Sequence, residues 1–226
     1  MKNQYFGDNK DLFKYDLILE IMREGLTRHF TFIAMLTGPD GTGHGAKADR
    51  RHAGAGSENR ELVSFLDQCL SEGERDIKQM GTFFRQYGIV MTVYSGEDDY
   101  FSHRKRQAYF DGIGGELLSE SLILVDPDNG LEVASSGEKH LLYNEAKDLY
   151  DRMDDSSILM LYQYFPRVSR QEYLNRRMEE LRERVGGDYP VCLDNNEVAF
   201  FFLTKNEALE HSLIHLIGEY AERYSV

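Results

Sequence analysis

With 226 residues, 41% of them hydrophobic, the chain can bury a sizeable core as one large domain. Its 39 acidic side chains outnumber the 26 basic ones, giving a formal net charge of −13, which excludes a broad surface for coating nucleic acid and leaves only a local basic patch for such a partner. Two cysteines, Cys69 and Cys192, are too few for a disulfide framework, and no run reaches the roughly 18 apolar residues of a membrane span. With a charged opening, "MKNQYFGDNKDLFKYD", in place of an apolar leader, these features predict a soluble, cytoplasmic protein.

Residues 11 to 25 place Leu12, Tyr15, Leu19 and Met22 at helical spacing with Lys14 off that stripe, which predicts an amphipathic helix. Asp8 and Asp11 stand where either can cap it. "HFTFIAML" then predicts a strand that runs into "TGPDGTGHGAK", where glycine and proline forbid a regular element. Residues 44 to 58 are polar and rich in Gly and Ala, the composition of a mobile or lid-like loop. Beyond them come a helix over "NRELVSFLDQCL", a linking region, a strand over "GIVMTVYSG" and a helix over "DDYFSHRKRQAYFDGIG".

"ESLILVDPDNG" predicts a buried strand, "NEAKDLYDRMDD" a helix, "SSILMLYQYFP" a strand and "SRQEYLNRRMEELRERVGG" a helix. "EVAFFFLT" and "NEALEHSLIHLIGEYAERY" close the chain as strand and helix. Unbroken apolar strands separated by helices predict one α/β domain over residues 1–226, with a largely parallel sheet covered on both faces. Residues 122–125 and 158–162 are expected to be adjacent or near-adjacent strands.

In such sheets ligands bind beyond the carboxyl ends of the strands. Three polar strand ends are therefore candidates to converge: the loop from Thr37 through Gly38, Asp40, Gly41 and Gly43 to Lys47, the turn Asp126, Asp128 and Asn129, and the pair Gln163 and Arg167. Pro127 biases Asp126 toward extended backbone and Asn129-Gly130 tolerates positive φ, so a tight turn accounts for much of "DPDNGLE". The clustering of Asp126, Asp128 and Glu132 is not accounted for by a turn, because crowded carboxylates repel unless a cation, a proton or a donor-rich ligand stabilises them. Lys14 and Tyr15 lie near enough in this plan to contact the same ligand.

"NQYFGDNKDLFKYDLILEIM", "FTFIAMLTGPDG", "LILVDPDNGLEV" and "LMLYQYFPR" resemble, in that order, a widespread group of bacterial and archaeal proteins, which implies a shared fold and site rather than a reaction. More loosely, a Lys-Tyr pair on the first helix, a strand with a Gly-rich loop and a later strand ending in Asp-Pro resemble the plan of S-adenosylmethionine-dependent methyltransferases, including the three-Cys-motif partner proteins. This resemblance implies a three-layer Rossmann-like fold. It places Gly38, Gly41 and Gly43 beside S-adenosylmethionine or a nucleotide, and Asp126 and Pro127 at the acceptor amine. Two departures stand out: "LTGPDGTGHG" lacks the acidic-x-Gly-x-Gly-x-Gly pattern, and "DPDN" carries no aromatic ring to stack on a base.

Two other readings stay open. Asp126, Asp128 and Glu132 are oxygen donors suited to Mg²⁺, with Lys139 for a phosphate and His103, Arg104, Lys105 and Arg106 as a local basic patch for a nucleic-acid backbone, which would make a metal-dependent nuclease or phosphohydrolase. The third reading is a non-catalytic binding or defence-associated module. His211 and His215 are four apart on the last helix but lack an indicated third metal ligand, so packing explains them better.

Overall fold

Residues 1–39, 54–96, 100–165, 168–187 and 190–226 are described by the computed structural model. Asp8 opens α1 (Asn9–Arg23) by accepting hydrogen bonds from the amides of Lys10 and Asp11, groups that have no partner within the helix itself. β1 (His29–Ile33) follows, then α2 (Arg60–Glu72), which Asn59 caps by accepting from Leu62 N at 3.0 Å. α3 (Met80–Arg85) leads into β2 (Val90–Tyr94), and α4 (Arg106–Asp111) precedes β3 (Ser121–Val125). Two short strands, β4 (Gly130–Leu131) and β5 (His140–Leu141), pair with each other beside the main sheet. α5 (Tyr143–Arg152), β6 (Ile158–Tyr164), α6 (Arg170–Arg184), β7 (Val191–Asp194), β8 (Val198–Leu203) and α7 (Glu207–Tyr224) complete the chain.

The main sheet has the order β2-β1-β3-β6-β8-β7. β2, β1, β3 and β6 run parallel, while β8 runs antiparallel to both of its neighbours. The expected pairing of residues 122–125 with 158–162 is present, with Leu122 opposite Ile158 and Val125 opposite Leu161. All five residues of β3 are buried. Its apolar side chains contribute roughly 1.5–3 kcal/mol each relative to exposure.

Strand residues alternate between two cores. Phe30, Phe32, Leu122, Leu124, Ile158 and Met160 face α1, α2, α3 and α7, whereas Ile33, Ile123, Val125, Leu159 and Leu161 face α4, α5 and α6. The period of two along each strand thus gives a three-layer α/β/α arrangement. No helix among the described residues is long and apolar enough to cross a membrane.

Several features depart from the sequence reading or add to it. α1 is not amphipathic: every residue from Asp11 to Leu19 is buried, Lys14 included, because β-strands and helices enclose it on several sides. "EVAFFFLT" is the reversed strand of the sheet. The preceding "VCLD", to which the sequence reading assigns no element, forms β7 and joins it through an Asn195-Asn196 hairpin with Asn196 at φ +73°. The helix expected over "DDYFSHRKRQAYFDGIG" is confined, among the described residues, to a 3-10 turn at His103–Lys105 and the short α4. Of the loop expected over residues 44–58, the first ten lie outside the described residues, and the remainder packs on α1. Ala55 is buried, and Gly56, at φ +80°, comes so close that a Cβ would stand 2.7 Å from the Leu12 carbonyl oxygen.

Candidate functional site

One turn into α1, Lys14 directs its ammonium at two carboxylates. Nζ lies 2.6 Å from Asp11 Oδ1 and 2.7 Å from Asp126 Oδ2, with both ion pairs almost wholly buried. Asp11 is held in turn by the Gly7 amide at 2.9 Å. Asp126 is the first residue beyond β3, and its amide extends the β1 ladder by donating to Ile33 O. The rings of Tyr15, Phe32 and Tyr162 surround the ammonium at 5.0, 5.6 and 5.8 Å, within the range of cation–π attraction. Burial pushes the carboxyls of Asp11 and Asp126 above their ordinary range despite the lysine. Burial also disfavours the charged form of Lys14, but the two carboxylates outweigh it and hold the ammonium charged to well above its usual pKa.

The turn after Asp126 is fastened from β6. Gln163 accepts from Leu131 N at 2.9 Å and donates to Asn129 O at 3.0 Å and Tyr164 O at 2.7 Å, so one buried amide satisfies three backbone groups. Gly130 takes φ +111°, and a Cβ there would overlap the Gln163 amide. On the β1 side, Asp128 Oδ2 accepts from Thr37 Oγ1 at 2.6 Å, and Oδ1 lies 2.7 Å from the Met1 ammonium. That ammonium also donates to Met35 O at 3.0 Å.

Two clefts open at these strand ends. The first, of about 310 Å³, is lined by Asp126, Pro127, Asp128 and Asn129, by Lys10 and Lys14 of α1, and by Tyr162 and Tyr164. The second, of about 500 Å³, lies on the β1 side, lined by Thr37, Gly38, Phe101, His103, Arg104 and Lys139 among others. Lys139 borders both. A hydrogen bond from Thr37 to Asp128 joins the linings, with Thr37 in the second cleft and Asp128 in the first.

Of the residues singled out from the sequence, Lys14, Asp126, Asp128 and Asn129 therefore meet in one cleft, with Thr37 and Gly38 in its neighbour. Gln163 lies behind the turn as its clamp rather than in either lining. Tyr15 lines neither cleft: it is fully buried against Phe84, and its hydroxyl has no hydrogen-bond partner among the described residues. Asp40, Gly41, Gly43 and Arg167 lie outside the described residues.

The three acids proposed for Mg²⁺ are not brought together. Glu132 turns away to accept from Tyr143 N at 2.9 Å and pair with Arg184 at 3.2 Å. No group of three or more His, Cys, Asp or Glu side chains able to hold a metal ion occurs among the described residues. The basic cluster divides too. Arg106 is bound by both oxygens of Glu145 and donates to His140 O, leaving His103 and Arg104 to the second cleft.

Sequence reasoning missed the aromatic lining. Tyr162 and Tyr164 sit two apart on β6, on the face opposite Gln163, so the alternation in "YQY" already separated ring from amide. The ring that "DPDN" lacks is thus available from the neighbouring strand. Comparison with protein-family models, with curated proteins and with solved structures returns no match for this chain.

Proposed function

We propose that the protein is a methyltransferase-like enzyme of Rossmann-like plan that binds S-adenosylmethionine or a nucleotide at the C-terminal edge of its sheet and receives an acceptor group at the Asp126–Asn129 turn. The observation that carries this reading is the meeting of that turn with Lys14, Tyr162 and Tyr164 in one cleft. The sheet order supports it. The chain winds outward from β1 to β2 and then returns to place β3 on the other side of β1, so the ends of β1 and β3 flank a topological switch point, where open α/β sheets bind ligands. When bound, S-adenosylmethionine supplies a methyl group to a nucleophile. The chain's own part would be to orient the acceptor, with the Asn129 amide and Asp128 as polar contacts and Tyr164 as an apolar face, since alignment of the reacting groups supplies much of the rate in such transfers.

A non-catalytic binding module is the second reading, favoured by one observation: the Asp126 carboxylate already pairs with Lys14. Thermal denaturation of the parent and of Asp126→Asn, with and without S-adenosylmethionine, S-adenosylhomocysteine and adenine nucleotides, tests both. A native-state ligand raises the melting temperature by mass action. Stabilisation of the parent that is lost in the variant is expected for an acceptor-linked site. Stabilisation unchanged in the variant, with no methyl transferred, marks a binding module, and absence of any response to these compounds refutes the adenosine-ligand reading.

A further inference from the structure

Among the described residues, the second cleft carries Lys2, His103, Arg104 and Lys139 and one carboxylate, that of Glu138. The side chains of Arg104 and Lys139 have no hydrogen bond or ion pair among the described residues. In a chain of net charge −13, Arg104 and Lys139 stand at a strand-end crevice with no ion pair among the described residues, and such cations do little for the fold, because they repel one another and gain little from distant acids through water. They are suited to an anionic ligand.

His103 adds a directed donor. Its Nδ1 lies 3.0 Å from Arg106 Nη1, and a guanidinium can only donate, so Nδ1 accepts and the hydrogen of the neutral ring resides on Nε2. Arg106 is itself fixed by Glu145, which holds the imidazole in place. Thr37 gives its hydroxyl hydrogen to Asp128, which lines the adjoining tyrosine-lined cleft.

The charge of the two candidate ligands separates them. S-adenosylmethionine is a net cation, its sulfonium and ammonium outnumbering its carboxylate, and this cleft repels it. A nucleotide brings phosphate oxygens that match Arg and Lys, and a phosphate near Lys139 leaves its base within reach of the adjoining cleft. We propose that the cleft beside Thr37 and Gly38 is a phosphate subsite, in which Arg104, Lys139 and His103 hold the phosphate of a nucleotide, free or within a single strand. The inference rests on the strand-end clefts being a ligand site and decides which class of ligand they take.

Isothermal titration of the full chain with AMP, adenosine, S-adenosylmethionine and a 5′-phosphorylated single-stranded tetranucleotide tests it. The Arg104→Glu/Lys139→Glu variant reverses two exposed or half-buried charges and Lys78→Glu serves as a remote control of the same kind. The expected result is binding of AMP or the phosphorylated strand, weakened at least about tenfold in the double variant as charge-assisted hydrogen bonds are lost, and unchanged in Lys78→Glu. Binding of both phosphate compounds marks a free-nucleotide site, and binding of the strand alone marks nucleic acid. Phosphate binding that survives the double reversal overturns the proposal. Binding of S-adenosylmethionine without either phosphate compound overturns it while leaving the adenosine-ligand reading intact. If none of the four binds the parent, both readings fail.

Discussion

Lys14 and Asp126, separated by 112 positions in the chain, are joined by an ion pair of 2.7 Å inside the protein. The pair ties the first helix to the end of β3 and fixes the wall of the first cleft. Asp11 shares the same ammonium at 2.6 Å, so a single cation stabilises two buried carboxylates.

Removing that cation is expected to be far more damaging than removing one of its partners. Lys14→Met leaves Asp11 and Asp126 buried without a counter-charge and should destabilise the protein by about 3–5 kcal/mol, the usual effect of breaking a buried pair from one side. Adding Asp126→Asn to Lys14→Met should recover part of this loss. Urea unfolding of the two single variants and the double variant measures the coupling. A Lys14→Met protein as stable as the parent would contradict the assignment.

The same cluster predicts the pH dependence of stability. Burial raises the carboxyls of Asp11 and Asp126 above the ordinary value of 3.8. Between that value and the higher folded one, the folded protein keeps protons that the unfolded chain has released, so the contribution of these groups to stability falls as pH rises. Lys14 behaves in the opposite range: its folded pKa lies above 10.5, so its contribution is complete below 10.5 and is lost as pH rises through the folded value. Asp11→Asn removes one proton-retaining carboxyl and should make stability fall less steeply from acid toward neutral pH. Denaturation midpoints across that interval check the change, and a steeper fall in the variant would reverse the sign assigned to Asp11.

Gln163 and Gly130 should behave as one unit. Gln163→Leu leaves Leu131 N without its acceptor, at about 1–3 kcal/mol for a buried group left unsatisfied, while Asn129 O keeps the Tyr164 amide. Gly130→Ala forces a Cβ into the clamp at a backbone angle of φ +111°, which side chains rarely adopt. Both variants should also loosen the Asp128–Asn129 segment. Hydrogen exchange at Asn129 and Leu131, whose amides bond to Lys139 O and Gln163 Oε1, should quicken in Gln163→Leu. Unaltered exchange would deny Gln163 its clamping role.

Tyr164 is 45% exposed with Lys10 Nζ 5.1 Å from its ring centre. Tyr164→Ala should leave stability within about 0.5 kcal/mol, as for most surface changes. Binding of a base-bearing ligand should weaken by about 1–3 kcal/mol if the ring is a stacking platform. Titration of parent and variant with AMP measures this, and equal affinities would remove Tyr164 from the site.

Much of the architecture was legible in the chain. Unbroken apolar runs such as "LILV" and "ILML" marked strands covered on both faces, and Asn59 and Asp8 stood at helix starts, because burial and capping act through neighbours a few residues apart. The same local logic brought Asp126, Asp128 and Asn129 to a strand end. What tertiary structure alone decided depends on residues far apart. The direction of β8 follows from its short hairpin with β7 and not from its composition, which suits either orientation. Lys14 looked peripheral to a helical stripe, yet α1 is enclosed on several sides and its charge is matched by Asp126 from the middle of the chain. Glu132, three residues from Asn129, belongs to the Tyr143 and Arg184 side, because β4 turns the chain away. Gln163 serves the turn instead of a ligand, since strand pleating aims it opposite to Tyr162 and Tyr164. Local periodicity therefore determined which segments became strands and helices, whereas the partners of buried polar groups were set by the packing of those segments against one another.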